Sequence, residues 1–512
     1  LHPSNIHDNA YAVGTLDLPG DQSILLGPDG PSLGGFVCSV TTAKGEMWKL
    51  GQLHPGDKVH FRLLDLDQAK EIREAEEANL RHEYQEVVLP EQKDLDYHYA
   101  ILAEETAAGT KIVARLDGED NILVEYGEME LDIAIRFRVH VLMQELKKKD
   151  LPVIDLTPGI RSLQIHFDIE KISLKEMLAA VLETNRTLPE LSDVTVPSRI
   201  IWLPLSWDDP QTQLAAKRYQ QTVRPNAPWC PSNPEFIRRI NGLDSIEDVK
   251  KIVFDADYLV LGLGDVYLGA PVATPVDPRH RMVTTKYNPA RPWTPENAVG
   301  IGGAYLCVYG MEGPGGYQFV GRTIQMWNPL KETEYFKHGK PWLLDFFDQI
   351  RFYPVSAEEI LKDREDFLRG RFKIKIEETS FNLGKYQEFL KEHEDTIRVF
   401  KDHQEASFEA ERKMWKEKGL DEFDSETQDA PAIVEETVPD GCEAARTNIP
   451  GSVWKVLVED GQKVREGDTL VILESMKMEF PVTAEYSGTI EKVYLKPGEQ
   501  VNSGQLAASI RV

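Results

Sequence analysis

The sequence predicts a mainly β protein with α/β parts, and three features of the 512-residue chain carry that prediction. Short apolar segments alternate with turns rich in Gly, Pro and Asp over most of the length, as in strands joined by tight connections. Two segments, 67–83 and 355–420, have the charged composition of surface helices. Residues 446–512 contain an internal repeat, which indicates a small sandwich of two similar halves.

The composition argues against two classes of function. Apolar residues make up 41% of the chain, an ordinary share for a soluble globular protein. The formal net charge of −27 argues against nucleic acid and anionic membranes as partners, because both attract a basic face. No apolar segment approaches the ~18 residues that span a bilayer. We therefore expect a cytoplasmic protein that binds neither nucleic acid nor membrane.

The cysteines are few and widely spaced, with no Cys-x-x-Cys pair and no Cys/His cluster. They are Cys38, Cys230, Cys307 and Cys442. Such spacing predicts neither a metal site nor a disulfide framework, and it is typical of packing or surface thiols in a reducing compartment.

Changes in composition divide the chain into six parts. They are a strand-rich part with one charged helix (1–83), a small α/β unit (84–194), a β-rich part with long loops (195–354), a charged helical connector (355–420), an acidic tether (421–445) and a last domain (446–512). The chain begins at Leu1, without an initiator Met and in what has the pattern of mid-domain sequence. We expect a piece of a longer polypeptide.

Individual elements follow from hydrophobic periodicity. Strands are predicted at 23–26, 58–64, 121–126, 162–167, 200–205, 258–262, 303–308 and 317–321. Helices are predicted at 67–83, at 133–148, where apolar residues recur with helical spacing, and within 355–420.

The repeat in the last domain puts one lysine in a special place. Segment 451–456 aligns with 488–493, and further Gly and Val positions recur at the same offset of 37 residues. Between the two halves, strand-forming sequence on both sides of Lys477 predicts a hairpin with this lysine at its tip. A lysine that is to be acylated must stand clear of the fold. Met476 and Met478 are unusual at an exposed turn, and either recognition by a modifying enzyme or packing over the attached arm would explain them.

Glu-Ser-Met-Lys-Met-Glu at 474–479, inside a pseudo-symmetric C-terminal domain, resembles the biotin carboxyl carrier domain. Lipoyl domains share the architecture but usually carry Asp-Lys-Ala at the tip, so Met-Lys-Met favours biotin. The resemblance implies covalent biotin on Lys477, flanked by Met476 and Met478, and a biotin protein ligase as the partner that attaches it.

The rest of the chain resembles the carboxyltransferase domain of the urea carboxylase family. Segments 2–8 and 26–36 are similar to the end of its first half, and three motifs are similar to its second half: Pro-Gly-Ile-Arg-Ser-Leu at 158–163, Thr-Thr-Lys-Tyr-Asn-Pro-Ala-Arg at 284–291 and Gly-Met-Glu-Gly-Pro-Gly-Gly-Tyr-Gln-Phe-Val-Gly-Arg-Thr at 310–323. The resemblance implies cyclophilin-like β-barrels in both halves, the first of them truncated, and a flattened β-sandwich for the biotinyl domain.

The resemblance implies an activity and a set of partners. The expected reaction is carboxyl transfer from carboxybiotin on Lys477 to urea, giving allophanate. Nothing in the sequence resembles an ATP-grasp biotin carboxylase, and no Gly-x-x-x-x-Gly-Lys-Ser/Thr loop is present. ATP and Mg are therefore expected only for a biotin carboxylase domain of the full-length enzyme, and allophanate hydrolase is expected as a further partner.

Carboxyl transfer to urea needs a base, a cation near the leaving group and oxygens that accept the N–H groups of urea. The candidate catalytic residues are Lys286, Tyr287 and Asp265, and the candidate substrate-binding residues are Asn5, Asp8, Asn288, Tyr305, Gln318 and Arg322. Several of them have a structural alternative: turns for Asn5, Asp8 and Asp265, core packing for Tyr305, and a structural ion pair for Arg322.

Two alternatives for the function stay open at this point. Guanidine or a related amide could replace urea, in which case the pocket needs an extra carboxylate for the cation. In the other alternative, the chain is a carrier and docking fragment without activity of its own.

Overall fold

The computed structural model describes residues 6–421, 438–439, 441–449, 451–475 and 478–512, apart from short gaps at 19–22, 29, 31, 55–56, 85–87, 89, 108 and 265. Of residues 474, 475, 478 and 479 it describes the backbone. Within this described part, no helix is long and apolar enough to cross a membrane.

The first part of the chain has short strands and two helices. They are β1 (Asn9–Ala10), β2 (Thr15–Leu18), β3 (Ile24–Leu25), β4 (Leu33–Gly34), β5 (Val37–Thr41), α1 (Met47–Leu50) and α2 (Leu66–Leu80). Strand β1 pairs with β4, and β2 lies between β3 and β5. The predicted charged helix is confirmed as α2, which begins with a capping box between Asp65 and Gln68.

The strand predicted at 58–64 is wrong. These residues have no strand partner, and the apolar side chains that suggested alternation are exposed, with 53% of Phe61 accessible. Alternating apolar and polar residues form a strand only where a neighbouring strand can pair with them and an apolar surface can bury one face. Among the described residues, this segment has neither.

The α/β unit is confirmed. It contains β6 (Ile101–Ala107), β7 (Thr110–Leu116), β8 (Asn121–Tyr126), α3 (Ile133–Lys147), β9 (Val153–Pro158), β10 (Ser162–Phe167) and α4 (Leu174–Arg186). The five strands form an antiparallel sheet in the order β6-β7-β8-β10-β9. Apolar residues of α3, including Val139 and Leu142, pack on the sheet with residues of α4 such as Met177.

The region after the α/β unit contains a closed β-barrel. Its region contains β11 (Thr195–Trp207), α5 (Pro210–Thr222), α6 (Asn233–Ile240), α7 (Ile246–Asp255), β12 (Tyr258–Leu263), β13 (Pro271–Pro275), β14 (Arg291–Thr294), β15 (Ala298–Gly302), β16 (Tyr305–Val308), β17 (Gly313–Gly315), β18 (Gln318–Arg322) and β19 (Gln349–Val355). Seven strands follow the order β18-β15-β16-β13-β12-β19-β11, and β11 pairs again with β18. The separate pair β14–β17 lies beside them.

Barrel closure depends on one glycine. Ser206 and Trp207 of β11 pair with Arg322 and Gly321 of β18. A Cβ at Gly321 would overlap the carbonyl oxygen of Ser206, so only glycine lets the two strands approach this closely.

Gly321→Ala is therefore expected to lower the free energy of unfolding by about 1–3 kcal/mol, the usual cost of overpacking. Gly51→Ala is the matched control, because Gly51 has ordinary helical backbone angles and a Cβ there meets no close atom. Scanning calorimetry of both variants measures the difference, and equal melting curves would contradict this account of closure.

The charged connector is helical, as predicted, but it also contains a strand. Its elements are α8 (Ala357–Leu368), β20 (Ile376–Asn382), α9 (Leu383–Glu392) and α10 (Glu394–Glu417). Strand β20 pairs with the first half of β11 and so extends the barrel sheet. Helix α10 is attached to α6, where the rings of Trp415 and Phe236 stack with centroids 5.9 Å apart.

The last domain is the two-fold sandwich that the repeat predicts. Its strands are β21 (Cys442–Arg446), β22 (Gly451–Val456), β23 (Lys463–Val464), β24 (Thr469–Ser475), β25 (Met478–Thr483), β26 (Gly488–Val493), β27 (Gln500–Val501) and β28 (Leu506–Arg511). They form two four-stranded sheets, β21-β28-β26-β23 and β25-β24-β22-β27. The repeated strands β22 and β26 thus occupy opposite sheets around one apolar core.

Candidate functional site

The hairpin predicted around Lys477 is confirmed in its two strands. Strand β24 pairs with β25, with Glu474 opposite Glu479 and Ser475 opposite Met478. This register leaves a two-residue connection at 476–477. Met476 and Lys477 themselves lie outside the described residues, as does the side chain of Met478. The backbone on both sides fits a residue that must project from the domain.

Lys286 lies where the first part of the chain meets the barrel. Its ammonium nitrogen is 4.8 Å from the ring centroid of Phe36 and 5.9 Å from that of Tyr317. Phe36 follows the Gly34-Gly35 pair of the first part, and Tyr317 precedes β18. Cations are attracted to aromatic faces, so these two rings hold the charge at the boundary between the two regions.

Asp17 is a buried carboxylate beside this lysine, and it is not among the residues predicted from the sequence. It lies on β2 and is 3% exposed, and its Oδ1 has no hydrogen-bond partner among the described residues. Burial raises the pKa of its carboxyl to about 6, while the backbone of Leu18 and the charge of Lys286 act to lower it. A carboxyl with a pKa near neutrality is suited to general base catalysis.

No signal in the sequence marks Asp17, because the Thr-Leu-Asp-Leu alternation at 15–18 predicts that the leucines form the buried face. In β2 the polar Thr15 and Asp17 are buried, whereas the leucines between and after them are half-buried. A strand whose buried face is polar departs from the usual pattern and indicates a functional site.

Asp8 lies near Tyr305, the first residue of β16. The Tyr305 hydroxyl is 2.5 Å from Nδ1 of His7, and its pKa is raised well above the ordinary value by burial and, secondly, by the charge of Asp8. The Asp8 carbonyl accepts a hydrogen bond from Ile160 N–H at 2.8 Å. The segment at the start of the chain is thereby fixed to the 158–163 motif.

A glycine pair links this corner to Lys286. A Cβ at Gly35 would lie 2.8 Å from Oδ1 of Asp8, and the next residue is Phe36, which contacts Lys286. The Tyr11 hydroxyl accepts a hydrogen bond from Phe36 N–H at 2.9 Å, and the pKa of Tyr11 is raised, mainly by burial, with smaller contributions from Asp17 and Asp8. Asp8, Asp17 and Lys286 therefore surround one segment of backbone.

Two predicted residues of the 284–291 loop make structural contacts. Tyr287 is buried, and its hydroxyl and the side chain of Asn233 exchange hydrogen bonds of 2.7 and 3.0 Å. Burial raises the pKa of Tyr287, so its hydroxyl keeps its proton. The backbone carbonyl of Asn288 accepts a hydrogen bond from Arg224. These contacts hold the loop that presents Lys286.

The remaining predicted residues lie on or near β18. Gln318 is buried and donates to the carbonyl of Thr285, next to Lys286, at 2.9 Å. Arg322 donates to the carbonyl of Glu296 at 2.8 Å, and burial lowers the pKa of its guanidinium. Both side chains thus hold backbone carbonyl groups in place. Asn5 and Asp265 lie outside the described residues.

Three family models match the chain. Residues 112–336 match "Carboxyltransferase domain, subdomain C and D", residues 1–63 match "Carboxyltransferase domain, subdomain A and B", and residues 437–510 match "Biotin-requiring enzyme". Urea amidolyases of Lachancea kluyveri and Saccharomyces cerevisiae are 38% and 36% identical over 100% of this chain, which covers 28% of each relative.

Solved structures agree with these matches. The crystal structure of Kluyveromyces lactis urea carboxylase superposes with a TM-score of 0.80 at 37% identity, covering 100% of this chain and 45% of that one. Over its whole length, this chain is similar to urea amidolyases and to a urea carboxylase. It combines carboxyltransferase subdomains with a biotin attachment domain, so it carries biotin covalently on a lysine. The chain spans less than half the length of these relatives.

Proposed function

We propose that this chain transfers a carboxyl group from carboxybiotin to urea, giving allophanate, as part of an ATP-dependent urea carboxylase. The observation that carries the proposal is the end-to-end similarity to urea carboxylases of a chain that contains both a carboxyltransferase barrel and a biotin attachment domain. The biotin carboxylase domain of the full-length enzyme, a biotin protein ligase and allophanate hydrolase are the proposed partners, in the cytoplasm.

Lys477 is the proposed attachment residue. The two-residue connection between β24 and β25 suits a group that must reach first a ligase and then a second active site. Biotin, when bound, supplies a ureido nitrogen from which a carboxyl group can be transferred.

The residues around Lys286 have separable roles in the proposed step. The new bond forms between a urea nitrogen and the carboxyl carbon, and biotin, when bound, would supply the nitrogen that leaves with the electron pair of the broken carbon–nitrogen bond. Lys286 stabilises the negative charge that develops there. Asp17 or Asp265 takes the proton that the urea nitrogen loses, while Asp8 accepts a hydrogen bond from the other N–H groups.

The other predicted residues position the backbone around the site rather than contact the substrate. Gln318 fixes the carbonyl beside Lys286, and Tyr287 and Asn288 hold the rest of its loop. Tyr305, bound to His7, positions the segment that carries Asp8. Arg322 supports the barrel closure. The six-part division of the chain is proposed as its domain organisation.

A guanidine carboxylase is the second candidate, favoured by one observation. Asp8 and Asp17 are both buried, and the negative charge of each raises the pKa of Tyr11. Two carboxylates are therefore close to the same small region. A guanidinium cation would pair with such a site, whereas neutral urea uses the oxygens as hydrogen-bond acceptors.

One assay separates the candidates. The biotinylated chain, a separately supplied biotin carboxylase, ATP, Mg and bicarbonate are mixed with urea or with guanidine, and products are quantified by mass spectrometry. We expect allophanate from urea and at least about tenfold less product from guanidine, because a carboxylate that serves as the base for the transfer cannot at the same time be the counter-ion of a buried guanidinium. Turnover of guanidine alone would favour the second candidate, and turnover of neither would favour a carrier fragment without activity.

A further inference from the structure

Trp454 of the carrier domain is buried by another part of the chain. Its neighbours Val453 and Val456 pack in the carrier core, whereas Trp454 lies at a bulge in β22 and does not belong to that core. It is nevertheless 5% exposed. Arg218 of α5 covers it, with the guanidinium carbon 4.8 Å from the Trp454 ring centroid and 6.0 Å from that of Trp293 on β14.

The internal repeat provides a reference for this position. Glu491 occupies the place of Trp454 in the other half, also at a bulge, between Ile490 and Lys492. Its side chain is exposed and accepts a hydrogen bond from Arg511 at 3.0 Å. The same backbone therefore accommodates a charged, exposed residue, and the sandwich itself does not require an aromatic ring here.

A second pair of equivalent positions differs in the same way. Gly498 lies against the end of α5, where an added Cβ would be 2.7 Å from the carbonyl oxygen of Gln221. Its counterpart Gly461 has nearly the same positive φ, yet a Cβ there would meet no atom within 4 Å. Trp454 belongs to the first half of the repeat and Gly498 to the second, but Trp454 on β22 and Gly498, just before β27, lie on the same sheet, and this sheet faces α5.

Helix α5 connects this contact to the candidate active site. Tyr219 donates a hydrogen bond to the carbonyl of Pro289 at 2.9 Å, so the helix that receives the carrier also holds the loop of Lys286. On the carrier side, Ser452 pairs with Glu474 near the hairpin tip. Trp454 lies about four residues, or roughly 13 Å, from that tip along the strands.

We propose that Trp454, held beneath Arg218, is the positioning residue that docks the carrier domain on α5 for carboxyl transfer. The partner of this surface is the carrier domain of the same chain. A cation over the face of a Trp attracts without covalent or extensive apolar attachment, which suits a domain that must also leave to be loaded. The transfer role depends on the proposed function, whereas the docking contact does not.

The test uses the full biotinylated chain and three variants. Trp454→Lys places like charge against Arg218, Trp454→Phe keeps an aromatic ring, and Tyr486→Lys changes an exposed aromatic of the same domain as a control. Hydrogen exchange of α5 and β22 reports docking independently of activity. Loading of the carrier by a separate biotin carboxylase and transfer from the loaded carrier to urea are measured as two half-reactions.

For Trp454→Lys we expect faster exchange in α5 and β22, transfer slowed about tenfold or more, and loading within about twofold of the parent. Trp454→Phe and the Tyr486 variant should stay near the parent. Unchanged exchange in Trp454→Lys, or an equal fall in loading and transfer, would overturn the proposal.

Failure of the proposed function and failure of the docking contact give different results. If the parent makes no allophanate, the proposed function fails, but the exchange of α5 still decides whether Trp454 docks the carrier. If Trp454→Lys is not biotinylated because the domain fails to fold, Arg218→Ala decides instead. It should raise exchange in β22 with a fully biotinylated carrier, and unchanged exchange there would overturn the proposal.

Discussion

Replacement of Lys477 by Arg is expected to abolish biotin attachment and, with it, all carboxyl transfer by the chain. Biotin is joined to a lysine amine through an amide bond, and a guanidinium does not take the place of that nucleophilic amine. The change preserves positive charge and side-chain length, so the pairing of β24 with β25 is expected to persist. Intact mass after co-expression with a biotin protein ligase measures attachment, and allophanate formation measures transfer.

Lys463→Arg is the matched control, because Lys463 is an exposed lysine of the same domain on the opposite sheet. It should carry one biotin per chain and retain transfer. Biotin on the Lys477→Arg variant would place the attachment on a different lysine and remove the basis for assigning the hairpin its role.

The sequence predicted correctly those elements that are determined by residues close to one another in the chain. The charge pattern and Asp65–Gln68 capping box fit α2, and helical apolar spacing fits α3. The offset of 37 residues even predicted that β22 and β26 are equivalent strands, because a repeat reports on structure directly. The segment 58–64 has an equally regular pattern, but a strand requires a partner that its own sequence does not supply.

The candidate site was only partly predictable, for the same reason. Lys286 and Asp8 stand in recognisable motifs, and the structure brings both to the boundary between the first part and the barrel. Tyr287 stands beside Lys286 in the same motif, yet its side chain turns into the aromatic cluster of Tyr219 and Trp229. Adjacent residues of a loop point in different directions, and sequence does not say which one faces the substrate.

Buried polar residues without a motif were the least predictable. Asp17 stands in a short strand without any known motif, and only the burial of that strand face makes it a candidate base. Trp454 is a large aromatic residue of the kind found in protein cores. Only the comparison with the exposed Glu491 at the equivalent position reveals that Trp454 is covered by another region of the chain. Both cases depend on contacts between distant segments.

Asp17→Asn is expected to lower the rate of carboxyl transfer by about 10²–10⁴-fold, the usual contribution of a positioned base. The amide has nearly the same shape and keeps hydrogen-bonding capacity, so the loss isolates the proton-accepting role. Single-turnover transfer from the loaded carrier measures it without the loading step. A rate within a few-fold of the parent would leave Asp265 as the candidate base.

Changing the pH should have opposite effects on two properties of the parent: the rate of transfer increases with pH, whereas the contribution of Asp17 to stability decreases. A base must be deprotonated, so transfer by the parent should rise through about pH 6, the pKa of Asp17, and Asp17→Asn should lose that rise. For stability, the folded pKa exceeds the ordinary value, so the protonated form favours folding, and this contribution is lost as pH increases through 6. Asp17→Asn should therefore melt at a higher temperature than the parent at pH 8 and close to it at pH 4.

Asp117→Asn is the control that separates catalysis from burial. Burial also raises the pKa of Asp117 to about 6, but its carboxylate accepts a hydrogen bond from Gln164 in the α/β unit and is not among the proposed site residues. Its variant should share the stability gain at pH 8 and keep the pH dependence of transfer. If both variants lose that dependence, the rise near pH 6 reports a general effect of buried charge, and Asp17 is not the base.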